Sequence, residues 1–326
     1  MPRNPRVFRE NSCYEYCTRA EYGIPLPSNL TSTTLISGTL ARSFTAHSVQ
    51  LFHGVYMGNH CHLVVSPKRP DSFHLGYGQV NKQLTDALKM LLRRPKLRVW
   101  EERAYPIFMP KFEDVLLKIV YAYSNPSKAG LCDTIDEFPG FSTWKPFLDC
   151  ELKVDAEVRI PTTSVRMRDL PALPENRRLS VKEDKEFAAS LHERGEPIEL
   201  IVRPYAWLSF YGITKEKDIA QVREVIIRRV RWNELVARKL REKARREVIG
   251  VEKLITTKFM RDHIPKERSP IKIYLHARDK ATRLYWLAKF KELFLAYAEA
   301  RRRSRTVRPE GTFSPGFPPS VFAFTC

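Results

Sequence analysis

Residues 49–65, VQLFHGVYMGNHCHLVV, decide the fold of this chain. Apolar and aromatic residues dominate 49–56, the sequence MGN at 57–59 is typical of a tight turn, and HCHLVV at 60–65 leads the chain back. The stretch therefore predicts an antiparallel hairpin. Because side chains alternate along a strand, His60 and His62 share one face of it, and Cys61 and Leu63 point to the other.

The segments around this hairpin predict an α+β domain over residues 1–149. Strands are predicted at 12–19 and 103–109, where Pro106 indicates an edge position or a bulge, and helices at 31–47, 78–92 and 112–125. The third helix is expected to end before Pro126. The order strand, helix, strand, strand, helix, strand, helix is that of a ferredoxin-like antiparallel sheet with helices on one face, to which the last helix is an addition.

The chain beyond this domain is expected to divide into a linker and a second, mostly helical domain. Residues 150–182 lose apolar periodicity, are polar and contain Pro161, Pro171 and Pro174, which predicts the linker. Long basic helices are predicted near 215–248 and 278–303, within a second domain at 183–326.

The composition is strongly basic. Lys and Arg number 56 against 37 Asp and Glu, a net charge of +19 that attracts polyanions, so nucleic acid is the first partner to expect. The six cysteines are scattered and complete no zinc site, no apolar stretch has the length of a membrane span, and the N-terminal residues lack the apolar region of a signal peptide. These features predict reduced thiols, a cytoplasmic location and no membrane partner.

The histidine pair is the first candidate site. Two neutral imidazoles side by side can bind one divalent metal ion, although a surface pair is the commoner explanation of a His-x-His sequence. Here Val64 and Val65 continue a strand of the buried type, in which two unpaired polar side chains would be costly. The position therefore favours a metal site at His60 and His62.

The helix at 112–125 carries the second candidate. Tyr121 and Asn125 are four residues apart and lie on nearly the same side, whereas Tyr123 is rotated by roughly 200° from Tyr121. At most one of the two tyrosines can therefore lie beside Asn125. A core tyrosine and a helix-end asparagine are the alternatives. Beside a metal-bound phosphate, however, a phenol can act as a nucleophile, because the metal ion withdraws charge from phosphorus.

These two segments together resemble a known family. NHCHLVV at 59–65 and VYAYSNPSKAGL at 120–131 are similar to motifs of the single-tyrosine HUH transposases, and of the REP-associated tyrosine transposases among them. WEER at 100–103 and FPGFS at 138–142 resemble further segments of that branch, so the resemblance spans about residues 5–145. Cys61 departs from the pattern, since the family usually has a larger apolar or aromatic residue there.

The resemblance implies an HUH endonuclease fold and a DNA transposase. His60 and His62 would bind Mg²⁺ or Mn²⁺, with Asn125 completing the metal site. Tyr121 would attack a scissile phosphate of single-stranded DNA, often beside a hairpin. The products would be a 5′-phosphotyrosine link and a 3′-hydroxyl that can later rejoin the strands, with no nucleotide cofactor. No oligomeric state is predicted.

Two other functions are compatible with the same residues. One is a DNA-binding protein that descends from a transposase and has lost catalysis, and the other is a metal-dependent phosphoesterase that uses water. A covalent adduct that Tyr121→Phe abolishes would identify the transposase, because attack by water leaves no protein on the DNA.

Two basic clusters are candidate DNA contacts. In the first cluster, at 93–103, an aromatic ring could stack on an unpaired base. In the second cluster, at 228–231, contact with DNA phosphates and a solvated helix face are equally good interpretations. The first cluster consists of Arg93, Arg94, Lys96, Arg98, Trp100 and Arg103, and the second of Arg228, Arg229 and Arg231.

Overall fold

The fold was analysed in a computed structural model, which describes residues 6–21, 23–69, 72–101, 106–174, 178–262, 275–306 and 321–324. The strands are β1 (Arg6–Arg9), β2 (Cys13–Arg19), β3 (Val49–Tyr56), β4 (His60–Pro67), β5 (Pro106–Met109), β6 (Val158–Ser164), β7 (Glu196–Val202) and β8 (Val321–Phe324). The α-helices are α1 (Leu30–Ala46), α2 (Ser72–Leu91), α3 (Phe112–Lys128), α4 (Trp144–Asp149), α5 (Val181–Arg194), α6 (Glu216–Lys243), α7 (Val251–Ile255) and α8 (Lys280–Thr306). None of the helices within these ranges combines the length and the apolar composition that a membrane span requires.

Six of the strands form one mixed sheet in the order β5-β2-β4-β3-β7-β6. All neighbouring strands are antiparallel except β3 and β7, which run parallel where Leu51 pairs with Val202. The predicted hairpin is confirmed as β3 and β4. Strand β5 lies at one edge of the sheet, which agrees with the prediction from Pro106. A separate parallel pair joins β1 and β8.

Helices cover both faces of the sheet, so the expectation of helices on one face holds for α1 and α2 but not for α3, the helix expected as an addition to that core. Helices α1 and α2 pack on the face that presents Leu63 and Val65, whereas α3 and α4 pack on the face that presents Val55 and Val64. The reason is that β3 and β4 present apolar side chains to both sides, and both sides are therefore removed from water. The fold is α+β, with the sheet in the middle.

The segment predicted as a linker contains a strand of this sheet. Strand β6 pairs with β7 over its whole length and packs on α1, where a Cβ atom on Gly38 would lie 1.9 Å from the carbonyl oxygen of Thr163. Pro161 argues against a strand in the sequence, but β6 is an edge strand, where the missing N–H can face outward. The prediction of an irregular linker is therefore wrong at residues 158–164. The division of the chain into two domains stays a prediction.

Helix α3 continues through the proline that was expected to end it. Pro126 lies inside the helix, which ends at Lys128. The proline removes one N–H donor, but the N–H of Ala129 donates to the carbonyl of Asn125 at 2.8 Å, so the helical hydrogen bonds resume at once. The helix therefore carries Lys128 as well as Tyr121.

The long helix α6 packs along α3 and extends the core on that face of the sheet. Ile226 and Val230 of α6 are buried in the same cluster as the apolar side of α3. At the end of α3, Arg241 donates to the carbonyl oxygen of Ser127 and pairs with the carboxylate of Asp133. Helix α6 thus holds α3 along its length and at its C-terminal end.

Candidate active site

The two histidines of β4 lie on the face of the sheet that α3 covers. Their ring centroids are 5.1 Å apart, and His62 is only 4% exposed. The Nδ1 atom of His62 lies 2.6 Å from Oε1 of Glu15, and the Nδ1 atom of His60 lies 2.7 Å from Oδ1 of Asn59. Because both partners are oxygen acceptors, each Nδ1 carries its proton and donates. The Nε2 atoms are the ones left for a ligand.

A buried carboxylate joins His62 to the tyrosine helix. Glu15 of β2 is 1% exposed, and its second oxygen lies 2.8 Å from Nζ of Lys118 on α3. Burial alone would raise the pKa of Glu15, but the hydrogen bond from His62 and the charge of Lys118 lower it to about 2. Burial alone would lower the pKa of His62, but its contacts with Cys17 and Glu15 raise it to about 9.

Tyr121 and Asn125 reach the histidines from α3. The Tyr121 ring stands nearly perpendicular to the His62 ring, with their centroids 5.1 Å apart, and it is 39% exposed. The side-chain nitrogen of Asn125 lies 3.1 Å from Nε2 of His60. The structure therefore brings together the four residues that the two motifs contain. Of these, the exposed Tyr121 is open to a substrate from solvent.

Tyr123 lies in the core, away from this group. It is fully buried, and its hydroxyl lies 2.8 Å from Nδ1 of His53 and 2.9 Å from Oγ1 of Thr143. Burial raises the pKa of its phenol, which disfavours an anionic nucleophile there. The prediction that only one of the two tyrosines lies beside Asn125 is confirmed.

Two ammonium groups adjoin the Tyr121 ring. Nζ of Lys118 lies 4.9 Å from its centroid and Nζ of Lys128 lies 5.5 Å from it. Glu15 compensates the charge of Lys118 through their ion pair. Burial lowers the pKa of Lys128. Lys128 is therefore the cation beside the exposed Tyr121 ring that has no carboxylate partner among the described residues, and it would favour a phosphate there.

The donor atoms fit a divalent metal ion. His62 Nε2 is buried and has no hydrogen-bond partner among the residues described, and His60 Nε2 faces the Asn125 amide. Rotation about the last side-chain bond of that amide exchanges its nitrogen with its oxygen, which is a suitable ligand. Glu15 and Asn59 hold the opposite ring nitrogens, as is usual for imidazoles that bind metals. His62 would lose its Nε2 proton on binding, so binding would release a proton.

The sequence reasoning missed Glu15, Lys118 and Cys17. The ligand atoms of Glu15, Cys17 and His62 lie within 4.8 Å of one another, because Cys17 is directly opposite His62 in the β2–β4 register. An acidic residue between two tyrosines in the strand sequence CYEYCTR was the available signal, since a carboxylate in a buried strand requires a cationic partner.

The first basic cluster is only partly available for DNA. Arg93, Arg94 and Lys96 are exposed. Arg98 pairs with Glu21 at 2.5 Å. The Trp100 ring packs half-buried against the core, and its N–H donates to a carbonyl oxygen of α2. Arg103 lies outside the described residues.

The second basic cluster divides in the same way. Arg228 and Arg229 are exposed on α6. Arg231 instead binds the carboxylates of Asp136 and Glu234 at 2.5 and 2.9 Å. The Arg231 charge is therefore compensated within the fold, which leaves Arg228 and Arg229 as the candidates for DNA contacts on this helix.

Comparison with known proteins gives one partial similarity. No family model matches the chain, and no curated protein matches it. Among solved structures, a REP-associated tyrosine transposase bound to a REP hairpin superposes with a TM-score of 0.39 at 17% sequence identity, over 45% of this chain and 86% of that chain. At this TM-score and identity the similarity assigns neither a family nor the roles of individual residues.

Proposed function

We propose that this protein is a metal-dependent transposase that breaks and rejoins single-stranded DNA through a 5′-phosphotyrosine link to Tyr121. The observation that carries the proposal is the placement of one accessible phenol beside His62, with His60 and Asn125 adjoining it. Hairpin-forming DNA from the flanks of the gene is the proposed substrate.

Each residue of the site has a distinct part in the proposed reaction. The Tyr121 oxygen forms a bond to phosphorus while the bond from phosphorus to the 3′-oxygen breaks. The phenol proton passes to water, and the leaving 3′-oxygen takes up a proton. Lys128 places positive charge beside the Tyr121 ring, where it stabilises developing negative charge. Attack of a 3′-hydroxyl on the phosphotyrosine reverses the steps and rejoins a strand.

His60, His62 and Asn125 are the residues that would hold the metal ion, and Mg²⁺ or Mn²⁺ is proposed because hard cations suit phosphate oxygens. When bound, the ion would polarise the scissile phosphate as a Lewis acid. Glu15 and Asn59 fix the orientation of the two imidazoles through their Nδ1 atoms. The chain therefore supplies both the ligands and the residues that orient them.

A denaturing gel tests the proposal. Labelled hairpin DNA is incubated with the protein and Mn²⁺, or with chelator, for wild type, Tyr121→Phe and Tyr123→Phe. We expect a metal-dependent covalent adduct with wild type and with Tyr123→Phe, the matched control, and none with Tyr121→Phe. Cleavage without an adduct would identify the water-using phosphoesterase. Binding without cleavage across several flanking sequences would identify a DNA-binding protein that has lost catalysis.

A further inference from the structure

A basic groove of about 650 Å³ opens at the residues around α7. Four cationic side chains and one carboxylate line it, namely Arg178, Lys253, Lys258, Arg261 and Glu247. Most of these residues lie in and around α7, beyond the part of the chain that carries the two motifs. The groove is therefore a feature that the motifs do not account for.

One wall of the groove is joined to the end of the tyrosine helix. The N–H of Ile249, a lining residue, donates to the carbonyl of Gly130 at 2.9 Å, and the N–H of Gly250 donates to the carbonyl of Leu131 at 3.0 Å. Gly130 follows Lys128, the cation beside the Tyr121 ring, by two residues. This wall consequently begins where α3 ends.

Arg261, another lining residue, is joined through Ile24 to the turn that precedes His60. The carbonyl of Arg261 accepts from the N–H of Ile24 at 2.7 Å. Ile24 in turn lies against Gly58, which has a φ of +82°, and a Cβ atom there would lie 3.0 Å from the Ile24 side chain. Gly58 is two residues before His60. The groove is thus fixed to both elements that form the active site.

Three of the four lining cations have no carboxylate partner among the described residues. Lys253, Lys258 and Arg261 are exposed, and within the described parts of the chain no ion pair joins them to a carboxylate. Arg238 and Arg241 on the nearby end of α6 differ, since both pair with Asp133. Three uncompensated cations at one concave surface favour a polyanion.

We propose that this groove binds the phosphodiester backbone of the single DNA strand that continues from the phosphate attacked by Tyr121. The inference rests on the proposed function. The groove volume of about 650 Å³ is sufficient for a few nucleotides of a single strand. Ile249 offers an apolar surface beside the cations, which a base can contact.

Charge reversal tests the inference. The double variant Lys253→Glu/Lys258→Glu is compared with the control variant Lys215→Glu/Lys217→Glu, which makes the same charge change at the start of α6. Helix α6 is about 40 Å long, and its C-terminal end is the one near the groove. Binding is measured by fluorescence anisotropy in chelator, with a labelled hairpin carrying oligo(dT) arms and with the same hairpin without arms. Backbone contacts do not depend on sequence, so a generic probe is sufficient. Melting temperatures verify folding.

We expect the groove variant to bind the armed hairpin about tenfold more weakly, and the slope of log affinity against log salt to fall by about 1.4 for two lost single-strand contacts. The control variant should match wild type, and the armless hairpin should bind both variants and wild type alike. Wild-type affinity of the groove variant for the armed hairpin would overturn the inference. An equal loss on the armless hairpin would also overturn it, because the groove would then bind duplex.

The adduct assay separates this inference from the proposed function. If wild type forms no adduct but the groove variant still loses affinity for the arms, the catalytic proposal fails and the groove assignment stands. If adducts form and the groove variant binds the armed hairpin as wild type does, the groove assignment fails and the proposed function stands.

Discussion

Replacing Glu15 by Gln tests whether this carboxylate organises the active site. The substitution preserves the shape of the side chain and removes its charge. In the protein, Glu15 accepts from His62 at 2.6 Å and pairs with Lys118 at 2.8 Å, at 1% exposure. In the variant, the Lys118 ammonium loses its carboxylate partner, and one amide oxygen remains to accept from His62.

The size of the effect follows from the pKa of Glu15. Its fall from the ordinary value of 4.5 to about 2 corresponds to about 3 kcal/mol in the free energy of unfolding. Because the pKa is lower in the folded protein, this stabilisation is complete above pH 4.5 and is lost as the pH falls through 2. Burial lowers the pKa of His62, but its contacts with Cys17 and Glu15 raise it to about 9, so the stabilisation from these two contacts is present below pH 6.5 and is lost as the pH rises through 9.

Urea unfolding of the metal-free protein, with chelator present, measures the stabilisation by Glu15 at different pH values. We expect the free energy of unfolding of wild type to exceed that of Glu15→Gln by about 3 kcal/mol at pH 6, and by only about 1.4 kcal/mol at pH 3. The control is Glu199→Gln, which removes an exposed pair with Arg159 and should cost under about 1 kcal/mol at both pH values. A difference for Glu15→Gln that stays below 1 kcal/mol, or that does not change with pH, would refute the role of this carboxylate.

Three further predictions concern the packing and charge of the molecule. Gly38→Ala places a Cβ atom 1.9 Å from the Thr163 carbonyl and should lower the free energy of unfolding by at least about 2 kcal/mol. Gly78→Ala, whose new Cβ meets no described atom within 4 Å apart from its chain neighbours and the adjacent helix backbone, should raise the free energy of unfolding by up to about 1 kcal/mol. Equal effects of the two substitutions in urea titrations would contradict the packing of β6 on α1. Asp184→Ala removes the carboxylate that accepts from two backbone N–H groups at the start of α1, at 2.9 and 3.0 Å, and should cost about 2 kcal/mol by thermal unfolding; no change would show that α5 does not cap α1. Lys128→Met removes an ammonium group beside the tyrosine ring and should slow adduct formation at least about tenfold with an unchanged melting temperature, whereas a wild-type rate would exclude an electrostatic role.

The elements predicted with success are those whose signal is local. The hairpin at 49–65 combines a turn sequence with two apolar strands, and the four-residue spacing of Tyr121 and Asn125 follows from the helical repeat. The placement of His60 and His62 on one face follows from strand alternation in the same way. These features require no knowledge of distant contacts.

The features that the sequence reasoning missed depend on distant parts of the chain. Pro161 reads as a strand breaker until the edge position of β6 is known, and that position is set by pairing with β7, almost forty residues later. Glu15 reads as an isolated acid until Lys118 and His62 meet it from other elements. Arg231 reads as a DNA contact until Asp136 is found to neutralise it. In each case a non-local partner decides the role.

The contact between α3 and α6 limits how the chain can be shortened. A fragment ending at residue 149 would retain both motifs, and by motif content alone it would be a natural minimal enzyme for crystallography or engineering. It would also lose the side chains that bury one side of the tyrosine helix, among them Ile226 and Val230, and the Arg241 that binds the helix end. We expect such a fragment to aggregate through the uncovered apolar surface. The part of the chain that carries no recognised motif is therefore a structural requirement for the part that does.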